Sequence, residues 1–257
     1  MKLKRKSNFV IILFLAVTIL CCEPEEKVDI QQTNEVILPV EIVFNSGGKR
    51  QYYYDQSNLL YRVEYINDSD FSVTGIWEIS YKQNAPSQLI NSQPRFPELT
   101  RVYNCTTDES GKIIEIRQVL SDSEVLLRKY EYVSDDIVSL SGEFSENYSL
   151  NEHGDIVGIE RLDKHGGEST NLTIEYNQSY FSPFKDVPFI KAFSIFFMDF
   201  DLMDYAGQHM PIRVTGNSFG YSFSGEFNEM GFPDRVIETG LISETYDIKY
   251  VTKEVIN

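Results

Sequence analysis

The residues of this 257-residue chain best suited to chemistry are few: three histidines, three cysteines and one close group of aspartates. His153, His165 and His209 are far apart in sequence and form no H-E-x-x-H pair. No two cysteines have a metal-ligand or redox spacing, so a structural zinc site is not expected. There is no G-x-S-x-G elbow and no phosphate-binding glycine loop. Asp199, Asp201 and Asp204 are interrupted by Phe200, Leu202 and Met203, whereas a calcium loop needs a glycine-containing turn; they read as a solvated face near a helix end. Cys105 sits in Tyr103-Asn104-Cys105-Thr106-Thr107 with no histidine or orienting group beside it. It reads as a small buried strand residue. Catalytic residues, metals and cofactors are therefore not expected.

Cys22 is the exception. Lys2, Lys4, Arg5 and Lys6 form a basic start, and Phe9 to Leu20 is an apolar run broken only by Thr18. As a helix that run spans about 18 Å, too short for a hydrocarbon core of about 30 Å, so it reads as a secretory signal. The Ile19-Leu20-Cys21-Cys22-Glu23 that follows resembles a bacterial lipobox. Cys22 fits as the lipidated residue because small Cys21 precedes it, whereas bulky Leu20 precedes Cys21. The expected boundaries are a lipoprotein signal peptide over 1–21, an acidic tether over 22–35 and a β domain over 36–257. Glu23-Pro24-Glu25-Glu26-Lys27 looks like an acidic export tag for the outer face of an outer membrane, and equally suits a plain hydrophilic tether.

The formal charge of −16 excludes nucleic acid as a partner, since phosphate backbones would be repelled. Losing the leader removes four cations and no anion, which makes the mature chain more acidic still. Sixteen Tyr and 17 Phe against one Trp favour strands.

These strands must be arranged by a repeat. Asp55-Gln56-Ser57-Asn58-Leu59-Leu60-Tyr61-Arg62-Val63 aligns with segments starting at Asp108, Asn151 and Asn228. The shared form is Asp/Asn, two variable residues, Gly/Asn (Asn58, Gly111, Gly154, Gly231), one variable residue, an apolar residue or Pro, two variable residues, then Ile/Val. A degenerate copy runs from Tyr132 to Leu140. Asp or Asn opens a turn by capping nearby N–H groups, and Gly or Asn three residues later tolerates a left-handed backbone. Apolar residues three apart after the turn break period-2 alternation and predict a bulge. Each copy should be a β-hairpin within roughly a dozen antiparallel strands. Pro86 to Pro97 reads as one long loop. Asp186, Pro188 and Gly207 bracket a helix over about 187–205, whose Phe189, Ile190, Phe193, Phe196, Phe197 and Phe200 require burial. The expected fold is all-β: a strongly curved antiparallel meander or incomplete barrel of hairpin repeats with one buried aromatic helix.

The Tyr-Asp hairpins resemble YD-type repeats. The order of Tyr176-Asn177, Ser182-Pro183-Phe184, the aromatic helix and Asn228-Glu229-Met230-Gly231-Phe232-Pro233 is similar to a family of bacterial lipoproteins of unknown function with a porin-like β fold. That family pattern often has Asn where Ser182 stands. The resemblance covers most of residues 36–252 and implies a fold and a lipoprotein class; it transfers no active site.

Three functional classes follow. The first is a non-enzymatic, outer-membrane, surface-exposed lipoprotein acting as a binding or structural module. Its partners would be the membrane, through the lipid anchor, and a protein, glycan or lipid ligand of unknown identity. The second is a carrier of a lipid or apolar ligand held between curved sheet and helix. An enzyme is the third. The abundant tyrosines suit cross-strand packing better than a sugar-stacking platform.

Overall fold

The computed structural model describes residues 35–133, 136–141, 144–163, 169–197, 207–240 and 243–254. The chain divides into Met1–Asn34 and Glu35–Asn257, and all described residues belong to the second unit. The leader, Cys22, His165 and Asp199, Asp201 and Asp204 lie outside the described residues.

Sixteen strands, each antiparallel to its neighbours, close into one barrel. They are β1 (Glu35–Phe44), β2 (Lys49–Tyr54), β3 (Leu60–Ile66), β4 (Val73–Lys82), β5 (Ala85–Ser92), β6 (Arg101–Thr107), β7 (Ile113–Val119) and β8 (Glu124–Val133). The second half comprises β9 (Asp136–Ser141), β10 (Phe144–Leu150), β11 (Ile156–Asp163), β12 (Thr170–Phe181), β13 (His209–Thr215), β14 (Gly220–Phe227), β15 (Pro233–Thr239) and β16 (Glu244–Glu254). The expected open meander is thereby corrected. β1 pairs with β16 from Glu35↔Glu254 to Phe44↔Tyr246, which joins the first and last strands and leaves no edge.

Two local expectations also change. The 86–97 segment is mostly strand, because Pro86 lies at a bulge where Tyr81 pairs with Pro86 and Ser80 with Gln88. A bulge needs no ladder donor, so the proline is accommodated there. The helix, α1, is described over Ile190–Phe197 and starts three residues later than expected, while the 198–205 part of the expected helix lies outside the described residues. Asp186 is not its cap: the carboxylate accepts a hydrogen bond from Ile37 N at 2.9 Å and ties the segment before α1 to β1.

The four repeat segments form the β2–β3, β6–β7, β10–β11 and β14–β15 turns. In a barrel of alternating strands these four turns share one end. They divide the barrel into four four-stranded quarters. The remaining hairpins at that end include β4–β5 and the long insert 182–208 between β12 and β13, which contains α1.

Side chains alternate about the wall. Leu38, Ile42, Tyr52, Val63, Ile79, Leu89, Ile116, Ile137, Ile159, Ile174, Val236 and Ile248 face inward as one core. From the insert, Phe184, Val187, Ile190, Phe193 and Ile195 are buried in the same core, and Tyr52 meets Phe184 edge-on at 5.4 Å between ring centres. The described 182–197 part of the insert therefore plugs the barrel at the end that carries the repeat turns.

The outer face is polar around the wall. Glu41 holds Lys49 at 2.8 Å and Lys249 at 2.7 Å, Arg62 bridges Glu64 and Glu78, and Arg235 holds Asp247. Arg117, Lys129 and Arg213 occupy outward positions elsewhere around the barrel. The two lysines bonded to Glu41 hold its carboxyl down at about 2.

Candidate functional site

The four turns have the same construction. In the first, Asn58 N donates to Asp55 O, Asp55 N to Leu59 O, and Asp55 Oδ1 accepts from Ser57 N and Leu59 N at 2.8 and 2.9 Å. The same four bonds recur around Asp108, Asn151 and Asn228. The fourth residue of each is left-handed: φ is 62° at Asn58, 83° at Gly111, 77° at Gly154 and 81° at Gly231. Only residues that tolerate this region occur there. The seventh residue of each copy is bulged, as where Tyr54 pairs with Leu60 and Tyr53 with Arg62. This explains the three-residue apolar spacing.

A second repeat is less visible. Tyr81, Tyr132, Tyr176 and Tyr250, one near the end of the fourth strand of each quarter, donate to Leu60 O, Ile113 O, Ile156 O and Pro233 O at 2.7–2.9 Å. Each accepting carbonyl belongs to the sixth residue of a repeat. The signal in the sequence is a tyrosine 17 to 21 residues beyond that position. It is easily lost among 16 tyrosines.

Two polar clusters interrupt the apolar interior. Glu146, 2% exposed, accepts from Arg161 Nε at 2.6 Å and from the Tyr148 hydroxyl at 2.8 Å, and pairs with Arg128. Burial alone would raise its carboxyl. The charge of Arg128, the bonds from Arg128 and Tyr148, and the charge of Arg161 outweigh it and lower the group. Separately, five strands further round the wall, the Tyr246 hydroxyl donates to buried Glu238. These inward charges lie toward the end opposite the repeat turns, so the interior changes from apolar to polar along the barrel.

The other cluster joins the third repeat turn to the insert. Asp155, fully buried, accepts from Gln208 N, from His209 N at 3.1 Å and lies 2.7 Å from His209 Nδ1. His153 meets His209 edge-on with ring centres 4.9 Å apart, so two histidines distant in sequence are neighbours. Lys191 of α1 lies over Gly154, and its ammonium is lowered by burial against the opposing pull of Asp155. A carboxylate–imidazole pair can orient a base for a nucleophile. The nearby buried Ser182 instead uses its hydroxyl to accept from Phe184 N at 3.3 Å. Asp155 thus acts as a latch that returns the insert to β13. It occupies the fifth repeat position, where the other copies have Leu59, Lys112 and Phe232, and a carboxylate there was the signal available in the sequence.

Cys105 faces the interior, packed against the core, and burial pushes its thiol up to about 12. A thiolate nucleophile is not available from it. Among the described residues no group of three or more His, Cys, Asp or Glu is placed to hold a metal ion.

No protein-family model and no curated protein matches the chain. Among solved structures, a porin-like protein from Bacteroides uniformis superimposes with a TM-score of 0.55 at 9% identity, covering 85% of this chain and 98% of that one. The fold is that of a porin-like barrel. A porin-like protein from Bacteroides vulgatus aligns with a TM-score of 0.47 at 12% identity, over 84% of this chain and 99% of that one. The likeness is one of architecture. The surface chemistry of this barrel departs from that of a membrane-spanning one. A spanning barrel presents an apolar band about 25 Å tall, crossed by strands of about 9–11 residues. Here β3, β6, β7, β10, β13 and β15 have seven residues each, although β1, β4, β8, β12 and β16 have 10 to 12. At about 3.3 Å per residue and 45° tilt the seven-residue strands rise only about 16 Å. Arg or Lys facing lipid near the midplane costs about 2–4 kcal/mol each. Arg62, Arg117, Lys129 and Arg213 face outward, where each would add to that cost by an amount set by its depth.

Proposed function

We propose that this chain is a non-enzymatic lipoprotein whose barrel stands in water and is held at the outer membrane, on its outward face, by acyl chains on Cys22. The observation that carries the reading is the inverted polarity of the barrel. Its apolar side chains point inward onto the core and plug, while Glu41, Arg62, Arg117, Lys129 and Lys249 point outward. A barrel of this kind needs a separate anchor to stay at a membrane, and the lipobox-like Leu20-Cys21-Cys22 supplies one. Two or more acyl chains hold stably where one holds marginally. The role is that of a binding or structural module on a tether.

The alternative of a lipid carrier is weakened by the plug. Phe184, Val187, Ile190, Phe193 and Ile195 occupy the apolar end of the barrel with the chain's own side chains. The test of the anchor is metabolic labelling with a radiolabelled fatty acid in wild type and Cys22→Ala. Label confined to wild type supports it, and equal labelling removes it. Protease shaving of intact cells reads the orientation.

A further inference from the structure

The exposed large apolar side chains are not scattered evenly over the described surface. Phe71 is 74% exposed and Phe96 51%; with Leu99 and Leu120 they belong to three successive connections at one end of the barrel, and Val125 and Leu126 follow at the start of β8. These are the β3–β4, β5–β6 and β7–β8 connections, at the end opposite the repeat turns and opposite Glu35, where the chain enters the barrel. Strand order makes them neighbours along the rim. Arg95 clamps two of them together, donating to Asp70 at 2.6 Å and to Ser72 Oγ at 2.8 Å. Phe96 precedes and Leu99 ends a 3-10 turn at Pro97–Leu99 that follows Pro94, so the apolar groups are presented by a stiff backbone. Phe71 itself holds φ at 53°, a region seldom adopted by a bulky side chain.

An apolar patch held rigidly in water is the signature of an interaction surface. Its fringe defines the occupant. Asp68, Asp70, Glu98, Asp122 and Glu124 lie in or border these connections, against Arg101 and Arg95, the latter's charge already met by Asp70. Such a fringe repels an anionic membrane surface and a second copy of this acidic chain. It attracts a protein that presents apolar side chains bordered by Lys and Arg. We infer that the rim formed by the 67–72, 93–100 and 119–126 segments docks a protein partner with a basic-fringed apolar patch. The inference rests on the tethered binding-module reading.

The experiment places the photocrosslinker p-benzoylphenylalanine at Phe71, Phe96 or Leu120, at Tyr61 beside the repeat turns, and at Ser224 on the outer wall, in the full chain expressed in its own cells. The expected result is one protein adduct shared by the three rim positions and absent from Tyr61. The crosslinked peptide should combine apolar residues with Lys or Arg. The adduct should fall at least fivefold in Phe71→Ser/Phe96→Ser, and at least threefold in Asp68→Lys/Asp122→Lys, with each variant keeping the wild-type far-UV spectrum. Absence of an adduct, adducts to lipid or to the chain itself, an acidic peptide, equal yield from Tyr61 or indifference to charge reversal would each overturn the inference. Lipid adducts at Ser224 would instead remove the water-facing barrel, so the two failures are separable.

Discussion

The Tyr132 hydroxyl reaches back 19 residues to donate to Ile113 O at 2.9 Å, linking β8 to the start of its neighbour β7. The carbonyl lies beside the repeat bulge, where the ladder is interrupted and a backbone acceptor is released. Three further tyrosines do the same in the other quarters, so the bulge and the tyrosine are two parts of one device.

Replacing these tyrosines one at a time with Phe removes one buried hydrogen bond and keeps the ring. Tyr81→Phe, Tyr132→Phe, Tyr176→Phe and Tyr250→Phe should each lose about 1–2 kcal/mol in urea unfolding. The losses should add in combination, since the sites lie in different quarters. Tyr61→Phe, at an exposed bulged position, should change stability by less than about 0.5 kcal/mol.

The turns make a second set of expectations. Asp108→Ala removes the acceptor for both Ser110 N and Lys112 N and should cost about 1–2 kcal/mol. Gly111→Ala forces a β-carbon into φ of 83° and should cost about 1–2 kcal/mol. Gly111→Asn should lose less, because Asn58 holds the same position in the first copy. Equal losses for Ala and Asn would refute the left-handed requirement.

Acid should weaken the fold through Glu41 and Glu146. Both carboxyls are lower in the folded chain than unfolded, so their stabilisation is fully present above the unfolded value, near 4.3. It is lost as pH falls through the folded values, which for Glu41 is about 2. Glu41→Gln should therefore flatten the fall in unfolding free energy between about pH 4.5 and 2. Glu146→Ala leaves Arg128 and Arg161 facing an emptied partner and should cost about 3–5 kcal/mol at neutral pH.

Cys105 should be inert while the barrel is closed. With its thiol pushed up to about 12, this half-buried residue has little thiolate at pH 8, and a disulfide reagent should modify it far more slowly than an unfolded thiol. The rate should rise steeply with urea; prompt labelling of the native protein would contradict its burial.

The hairpins were legible because their chemistry is local: Asp108 and Gly111 are three residues apart and dictate their own turn. Closure was not. It depends on Glu35 meeting Glu254, and nothing near either residue declares the other. The strand count was underestimated where Pro86 masked β5, since a proline reads as a breaker unless its bulge is known. The His153–His209 contact and the Asp155 latch arise from the return of the insert to β13. His209 could be placed only after that topology was fixed. The tyrosine device was present in the sequence but diluted by tyrosines that pack without such a bond.

The measurement that bears most directly on a water-facing, tethered barrel is detergent phase partitioning of the mature chain with and without its anchor. Wild type should enter the detergent phase. The leaderless Cys22→Ala chain should stay in the aqueous phase, folded and free of detergent. Partitioning of that unanchored chain into detergent would show that the barrel wall itself meets lipid, and would contradict the account.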